Sequence, residues 1–360
     1  MDDSSSDQRT RGLDAAHRAA AAFLASVDER PVWPRAGLEE MLTAFGGPLP
    51  ESGSDAAEVV AEMAERADPG LVAIPGGRFF GFVIGATHPA ALAADWLVSA
   101  WDQNSGSSTL TPATVAMERV AGQWMLDLLG LPEAASVGFV TGGQMANFTC
   151  LATARTAVLA REGWDATERG TRLAPPVRIV VGADRHASID RALRFLGVGR
   201  SELEVVASDD QGRMTADALA EVLTQATGPL VVCLQAGEVH TGAFDDFAAL
   251  IPIAHEHGAW VHVDGAFGLW AAASAAAGLA SVEGITIVND VDYTQVMFRR
   301  DDDDATRALG EAILAEGTAA VTGAVWRGRA TLRCSMSSWA TTAADVGRTV
   351  DAIRMLVAAG

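Results

Sequence analysis

The apolar run Trp260-Val261-His262-Val263 ends on Asp264, and the small residues Gly265 and Ala266 follow at once. Burying a carboxylate is costly unless a cation or a donor meets it. Small residues beyond it let something flat approach. A protonated ring nitrogen meets both conditions; a helix-capping Asp is the plainer alternative. Thr141-Gly142-Gly143-Gln144-Met145-Ala146-Asn147 sets two glycines at the start of a helical pattern. Close backbone and unspent N–H groups would make a phosphate cradle there, or simply a tight turn. The G-x-G-x-x-G spacing of a dinucleotide site is absent. Asp184-Arg185-His186-Ala187-Ser188 delivers His186 just after a strand and just before a helix, as a ring-facing group or as a capping or surface His. Gly237 to Asp245 is a glycine-bounded polar loop suited to a ligand rim, or an ordinary loop.

These segments need a scaffold that brings strand ends together. From about residue 135 the chain alternates. The expected strands are Ala135–Thr141, Val177–Val181, Leu203–Val206, Leu230–Gln235 and Trp260–Val263. The expected helices between them are Met145–Arg161, Ser188–Leu196, Thr215–Gln225 and Phe247–His257. Such alternation predicts an α/β layer fold with a mostly parallel sheet, whose ligands sit at the C-terminal strand ends. Before it, Leu13–Val27 and Asp55–Arg66 read as helices. Thr111-Pro112 to Leu129, closed by Gly130, reads as a helix with an N-cap, a first-position Pro and a terminal Gly. After it, Ile285–Asn289, Tyr293–Phe298, Ala319–Trp326 and Ala330–Ser335 read as strands, with helices near 304–316 and 342–358. The expected organisation is an N-terminal helical segment (1–70), a large domain (71–276) and a small α+β domain (284–360). The acidic run Asp301–Asp304 reads as a solvated loop entering a helix.

Composition narrows the function. The 360 residues are 20% charged with a net charge of −20, which argues against nucleic-acid and anionic-membrane surfaces. All 26 basic residues are Arg, so any mechanism that needs a Lys is excluded for this chain. Cys150, Cys233 and Cys334 are odd in number and far apart, neither a disulfide framework nor a zinc pattern. No metal site is expected, and a reducing cytoplasm fits. The polar, acidic N-terminus has no signal-peptide core. Gly265–Val282 runs uncharged for nearly a membrane span, but its Ala, Gly and Ser read as a buried segment.

Taken together, these motifs resemble the pyridoxal-phosphate-dependent decarboxylases of group II, which include glutamate and aromatic amino-acid decarboxylases. The resemblance runs from about Gly77 to Ala276 and again from about Gly284 to Ile353. It implies an aminotransferase-like (fold-type I) α/β large domain with a small α+β C-terminal domain, and pyridoxal 5'-phosphate as cofactor. By position, Gly142, Gly143, Gln144 and Met145 would hold the phosphate. His186 would stack on the pyridine ring, Asp264 would pair with its nitrogen, and Ala266 would line the other face. Thr241 would lie in the loop near the ring. Arg333, in Thr331-Leu332-Arg333-Cys334-Ser335, would receive a substrate carboxylate, with a surface salt bridge as its plainer role. Phe80, in Arg78-Phe79-Phe80-Gly81-Phe82, and Gln103-Asn104 resemble segments near the substrate entrance. An amino-acid substrate and a homodimer are implied as well.

One departure is large. The family's Schiff-base Lys lies in an Asp-x-His-Lys-type segment after the Asp strand. Here Ala271–Ala280 passes directly into Ser281-Val282-Glu283-Gly284-Ile285, which resembles the start of the C-terminal domain. On the order of 100 residues are missing, at roughly 30 per βα unit. Arg cannot replace the Lys, because its guanidinium stays protonated. The family's mobile catalytic Tyr loop also falls in the gap, and Tyr293 is the only Tyr. Lost strands would leave exposed sheet edges. Three readings follow: a decarboxylase by descent that has lost its lysine segment, a lysine-free pseudoenzyme that holds cofactor or pairs with a complete homologue, and a remnant without function. Another pyridoxal-phosphate lyase or an aminotransferase is a lesser alternative.

Overall fold

Four short runs rich in β-branched residues form a parallel sheet: β1 (Arg178–Gly182), β2 (Leu203–Val206), β3 (Leu230–Gln235) and β4 (Trp260–Asp264). The spatial order is β2-β1-β3-β4, and every neighbouring pair is parallel. The computed structural model of the chain describes residues 4–224, 227–266, 268, 282–291 and 293–359. β3 is buried at all six positions, as expected of a strand covered on both faces. One face carries Val180, Val206, Val232 and Leu234 against Leu219, Leu223, Leu250 and Ala254 of the helices Ala216–Leu223 and Phe247–Glu256. The other carries Ile179, Val181, Val231 and Cys233 against Leu151, Ala154, Ile189 and Leu193 of the helices Gly143–Arg161 and Ala187–Phe195. This is the α/β architecture that the alternation predicts.

The chain groups into two compact units, which the three-part linear division does not anticipate. One is Pro89–Ala273 with Asn289–Gln295; the other is Met1–His88, Ser274–Val288 and Val296–Gly360. The second unit contains the sheet β5-β6-β8-β7, formed by β5 (Thr286–Ile287), β6 (Gln295–Arg299), β7 (Thr322–Trp326) and β8 (Arg329–Ser335), with antiparallel β5–β6 and β7–β8 pairs. Its helices include Ser4–Ser26, Ala56–Ala67, Asp303–Glu316 and Ala343–Ala359. Asp302 caps the third by accepting from the Ala305 amide at 2.7 Å, so the acidic run does open a helix. The N-terminal segment joins this unit through Val32, which packs with Phe79 and Ala320.

Three local expectations change. Ala135–Thr141 forms no strand. A strand exists only where a second strand supplies its ladder, and among the described residues none lies beside this segment. Thr111 precedes the helix Pro112–Leu128, but its hydroxyl gives the helix no side-chain cap and instead donates to the Asn104 carbonyl. The helices Leu38–Phe45, Pro89–Trp101 and Ala166–Arg169 were not anticipated.

In the first unit, the helices Pro89–Trp101 and Pro112–Leu128 keep large apolar side chains in solvent. Trp124 is 72% exposed and Leu128 73%, and Trp101, Met117 and Phe139 are about half exposed. On the side of β4 away from β3, no strand pairs with it among the described residues, and Val263 is exposed. No described helix is long and apolar enough to cross a membrane. The uncharged run 265–282 lies mostly outside the described residues, as does the 271–281 part of the junction.

Candidate functional site

The period-two alternation of β4 puts His262 and Asp264 on one face of the sheet. The helix Gly143–Arg161 covers that face with Asn147, Leu151, Ala154 and Val158, spaced as one helical stripe. Asn147 is the polar member of this apolar stripe and is buried. All its hydrogen-bonding groups are used. Nδ2 donates to Asp264 Oδ2 at 2.9 Å and to Ser188 Oγ at 3.1 Å, while Oδ1 faces His262 Nε2 at 2.9 Å. Burial holds the His262 pKa below its ordinary value, although Asp264 acts the other way. The neutral ring therefore carries its proton on Nε2 and donates to Asn147.

Asp264 is half-buried at the C-terminal end of β4. Its Oδ1 accepts from the Ala266 amide at 3.2 Å, and its backbone carbonyl from the Ala236 amide at 2.8 Å. Gln235 pairs with Asp264 in the β3–β4 register. The Gln235 side chain accepts from the His186 amide at 3.3 Å, tying the loop after β1 to the end of β3. His186 is the N-cap of the helix Ala187–Phe195: Nδ1 accepts from the Ser188 amide at 3.2 Å and lies 2.7 Å from Ser188 Oγ. Its ring is otherwise exposed to solvent. His186 is thus both a cap and an accessible face at a strand end.

The helix Gly143–Arg161 starts beside this group. Gly142 has φ +90° and ψ 168°, a backbone state open almost only to glycine, and it gives the helix no side-chain cap. The first-turn amides of Gly143 and Gln144 have no acceptor among the described residues. A Cβ added at Gly143 would lie 3.6 Å from Ala266 Cβ, so helix start and strand end adjoin. Gln144 and Met145 are half-buried in the same turn.

The loop after β3 is built around two buried carboxyls. Glu238 Oε2 accepts from the His240 and Thr241 amides at 2.7 and 2.8 Å. Burial nevertheless pushes the Glu238 pKa up to about 7, against the pull of those donors. Asp245 accepts from the Gln235 and Met214 amides, each at 2.7 Å, and burial pushes it up to about 6. Thr241 is fully buried, and its hydroxyl donates to the Gln211 carbonyl at 2.7 Å. Tyr293 is buried edge-on against Phe244, with ring centroids 5.3 Å apart.

The other expected residues make contacts of their own. Phe80 and Arg333 belong to the other unit. Phe80 is buried and donates its amide to the Ala320 carbonyl at 2.8 Å; Arg333 is buried in β8 opposite Thr322. Arg78 is spent on the carbonyls of Thr318, Asp28 and Arg30. Gln103 and Asn104 make local turn contacts with Trp101 and Gly106. Among the described residues no cluster could hold a metal ion. Asn147, Ser188, His262 and Gln235 join the group without having been singled out as site residues. A polar residue on an apolar helical stripe was the available signal for Asn147.

The chain matches the pyridoxal-dependent decarboxylase conserved domain over residues 40–294. It is 28% identical over 249 residues to aromatic-L-amino-acid decarboxylase of Bacillus atrophaeus, covering 66% of this chain and 48% of that protein. It is 31% identical over 226 residues to L-2,4-diaminobutyrate decarboxylase of Rhizobium meliloti (61% and 43%). Mouse cysteine sulfinic acid decarboxylase is 30% identical over 195 residues (53% and 38%). The matched region thus spans about half or less of these relatives' length. In fold, the chain is similar to the glutamate decarboxylase domain of a Vibrio parahaemolyticus protein, with a TM-score of 0.86, 17% identity and 98% and 96% of the two chains covered. It is also similar to Oryza sativa TDC solved with PLP and tryptamine, at TM-score 0.85, 16% identity and 98% coverage of each chain.

Proposed function

From the premise that this chain belongs to the pyridoxal-dependent decarboxylase family, we propose that its strand-end site holds pyridoxal 5'-phosphate without a covalent link. The family is one of group II amino-acid decarboxylases, its fold is the fold-type I α/β fold, and its cofactor is pyridoxal phosphate. The observation that carries the proposal is the junction of Asp264 with the uncapped helix start at Gly142 and Gly143. The residues present fit the group. A phosphate suits the unspent amides of the first helical turn, together with Gln144 and Met145. Asp264 offers a carboxylate to a protonated ring nitrogen, His186 an exposed imidazole face, and Ala266 a small neighbour. Thr241 shapes the loop at the rim from inside. When bound, the cofactor supplies an electron sink for a bond broken at the amino acid's α-carbon.

With no Lys in the sequence, nothing here can join the cofactor's aldehyde as the family's Lys does. Two readings of the finer function differ. In the first, the chain is an amino-acid decarboxylase by descent, with a homodimer in the cytoplasm as its working form. In the second, it is a cofactor-holding pseudoenzyme that pairs with itself or a complete homologue. The lysine-free sequence favours the second.

Equilibrium dialysis of the purified chain with pyridoxal phosphate, followed by release of labelled CO2 from carboxyl-labelled amino acids, separates them. Saturable binding that Asp264→Asn and Gly142→Ala both weaken, with no CO2 above the level of free cofactor, is the expected result. Catalytic CO2 release would overturn the pseudoenzyme reading. Absence of saturable binding would overturn both.

A further inference from the structure

We infer that Asn147 is a positioning residue that sets the Asp264 carboxylate and the His186 ring together. The inference rests on the cofactor reading above. The polarity of the hydrogen bonds admits one assignment. A carboxylate only accepts, so Asn147 must present Nδ2 to Asp264, at 2.9 Å. Oδ1 then faces His262, whose Nε2 must donate, at 2.9 Å. The second Nδ2 hydrogen goes to Ser188 Oγ at 3.1 Å. With its oxygen accepting, the Ser188 hydroxyl donates to His186 Nδ1 at 2.7 Å, where the Ser188 amide also points. His186 therefore has Nδ1 as acceptor and carries its proton on Nε2, on its solvent side.

One amide thus reaches both groups that would touch a pyridine ring. Asp264 is gripped on Oδ2 by Asn147 and on Oδ1 by the Ala266 amide, so its carboxylate plane cannot rotate freely. Asn147 itself is clamped by His262 and buried among Leu151 and its helical neighbours. A buried polar network whose groups are all satisfied rigidifies the residues that it joins.

The test compares binding of pyridoxal phosphate with that of an analogue having carbon in place of the ring nitrogen, by equilibrium dialysis on the lysine-free chain. The wild type should prefer pyridoxal phosphate by about tenfold or more, as expected of a charge-assisted hydrogen bond. Asn147→Leu removes all three contacts and should bring the two ligands within about twofold. Asn147→Ala removes the same contacts without adding bulk, so it covers the case in which the Leu variant does not fold; it should lose the preference too. Ser188→Ala removes only the hydroxyl link, leaves the Asn147–Asp264 bond and the residue-188 amide on His186 Nδ1 in place, and should keep the preference. A preference retained in folded Asn147→Ala or folded Asn147→Leu overturns the positioning role alone. A wild type without preference overturns the ring-nitrogen reading and this inference with it.

Discussion

His262 Nε2 donates to Asn147 Oδ1 at 2.9 Å across 115 residues of sequence, and this contact fixes which end of the Asn147 amide faces Asp264. Burial depresses the His262 pKa below its usual value. The unfolded chain then takes up a proton near pH 6.5 that the folded chain refuses until lower pH. Stability from this group is complete above about pH 7 and falls as pH drops through 6.5. His262→Gln keeps a donor but cannot titrate. Urea unfolding of the two proteins between pH 8 and 5 should show a shallower acid loss in the variant. Parallel slopes would contradict the account.

Glu238 has the opposite sign. Its folded pKa, raised to about 7 by burial, lies above the unfolded value. Its contribution is most favourable below about pH 4.5 and is lost as pH rises through 7. Glu238→Gln removes the charge and keeps an acceptor for the His240 and Thr241 amides. It should stabilise the chain by about 1–3 kcal/mol at pH 8, with the gain shrinking toward pH 5. Denaturant midpoints at the two pH values decide it. Asp245, raised to about 6 for the same reason, adds a smaller loss in the same direction over a lower pH window.

Gly142 holds φ +90° and ψ 168°, and a methyl there meets no neighbour among the described residues, so the cost falls on the backbone. Gly142→Ala should cost about 1–3 kcal/mol of stability. It should also weaken pyridoxal phosphate more than pyridoxal, because the lost geometry faces the phosphate. Calorimetric melting with dialysis of both ligands checks this. Equal weakening of the two would place the phosphate elsewhere.

The uncovered apolar side chains of the helices Pro89–Trp101 and Pro112–Leu128 should bind hydrophobic dye in native buffer and drive self-association. Replacing Trp124 and Leu128, both more than 70% exposed, with Gln should lower the association seen by light scattering at little cost in melting temperature. A monomeric wild type that binds no dye would show that these faces are covered in solution.

The local elements were legible in residue type and spacing. Continuous apolar runs became β1 to β4, and Asp264 ended the last of them as its spacing required. The glycine pair opened the helix that begins at Gly143. Composition alone removed every lysine from the chemistry. Features that depend on distant partners emerged only with the folded layers. Ala135–Thr141 has strand composition but no strand, because a ladder needs a neighbour that composition cannot supply. His186 became both a helix cap and an exposed ring because Gln235 and Ser188 converge on its loop. Asn147 reads as one more polar residue in a helix until the fold carries it to Asp264, 117 residues away, and to Ser188, 41 residues away. A buried amide finds its partners only when the layers close over it.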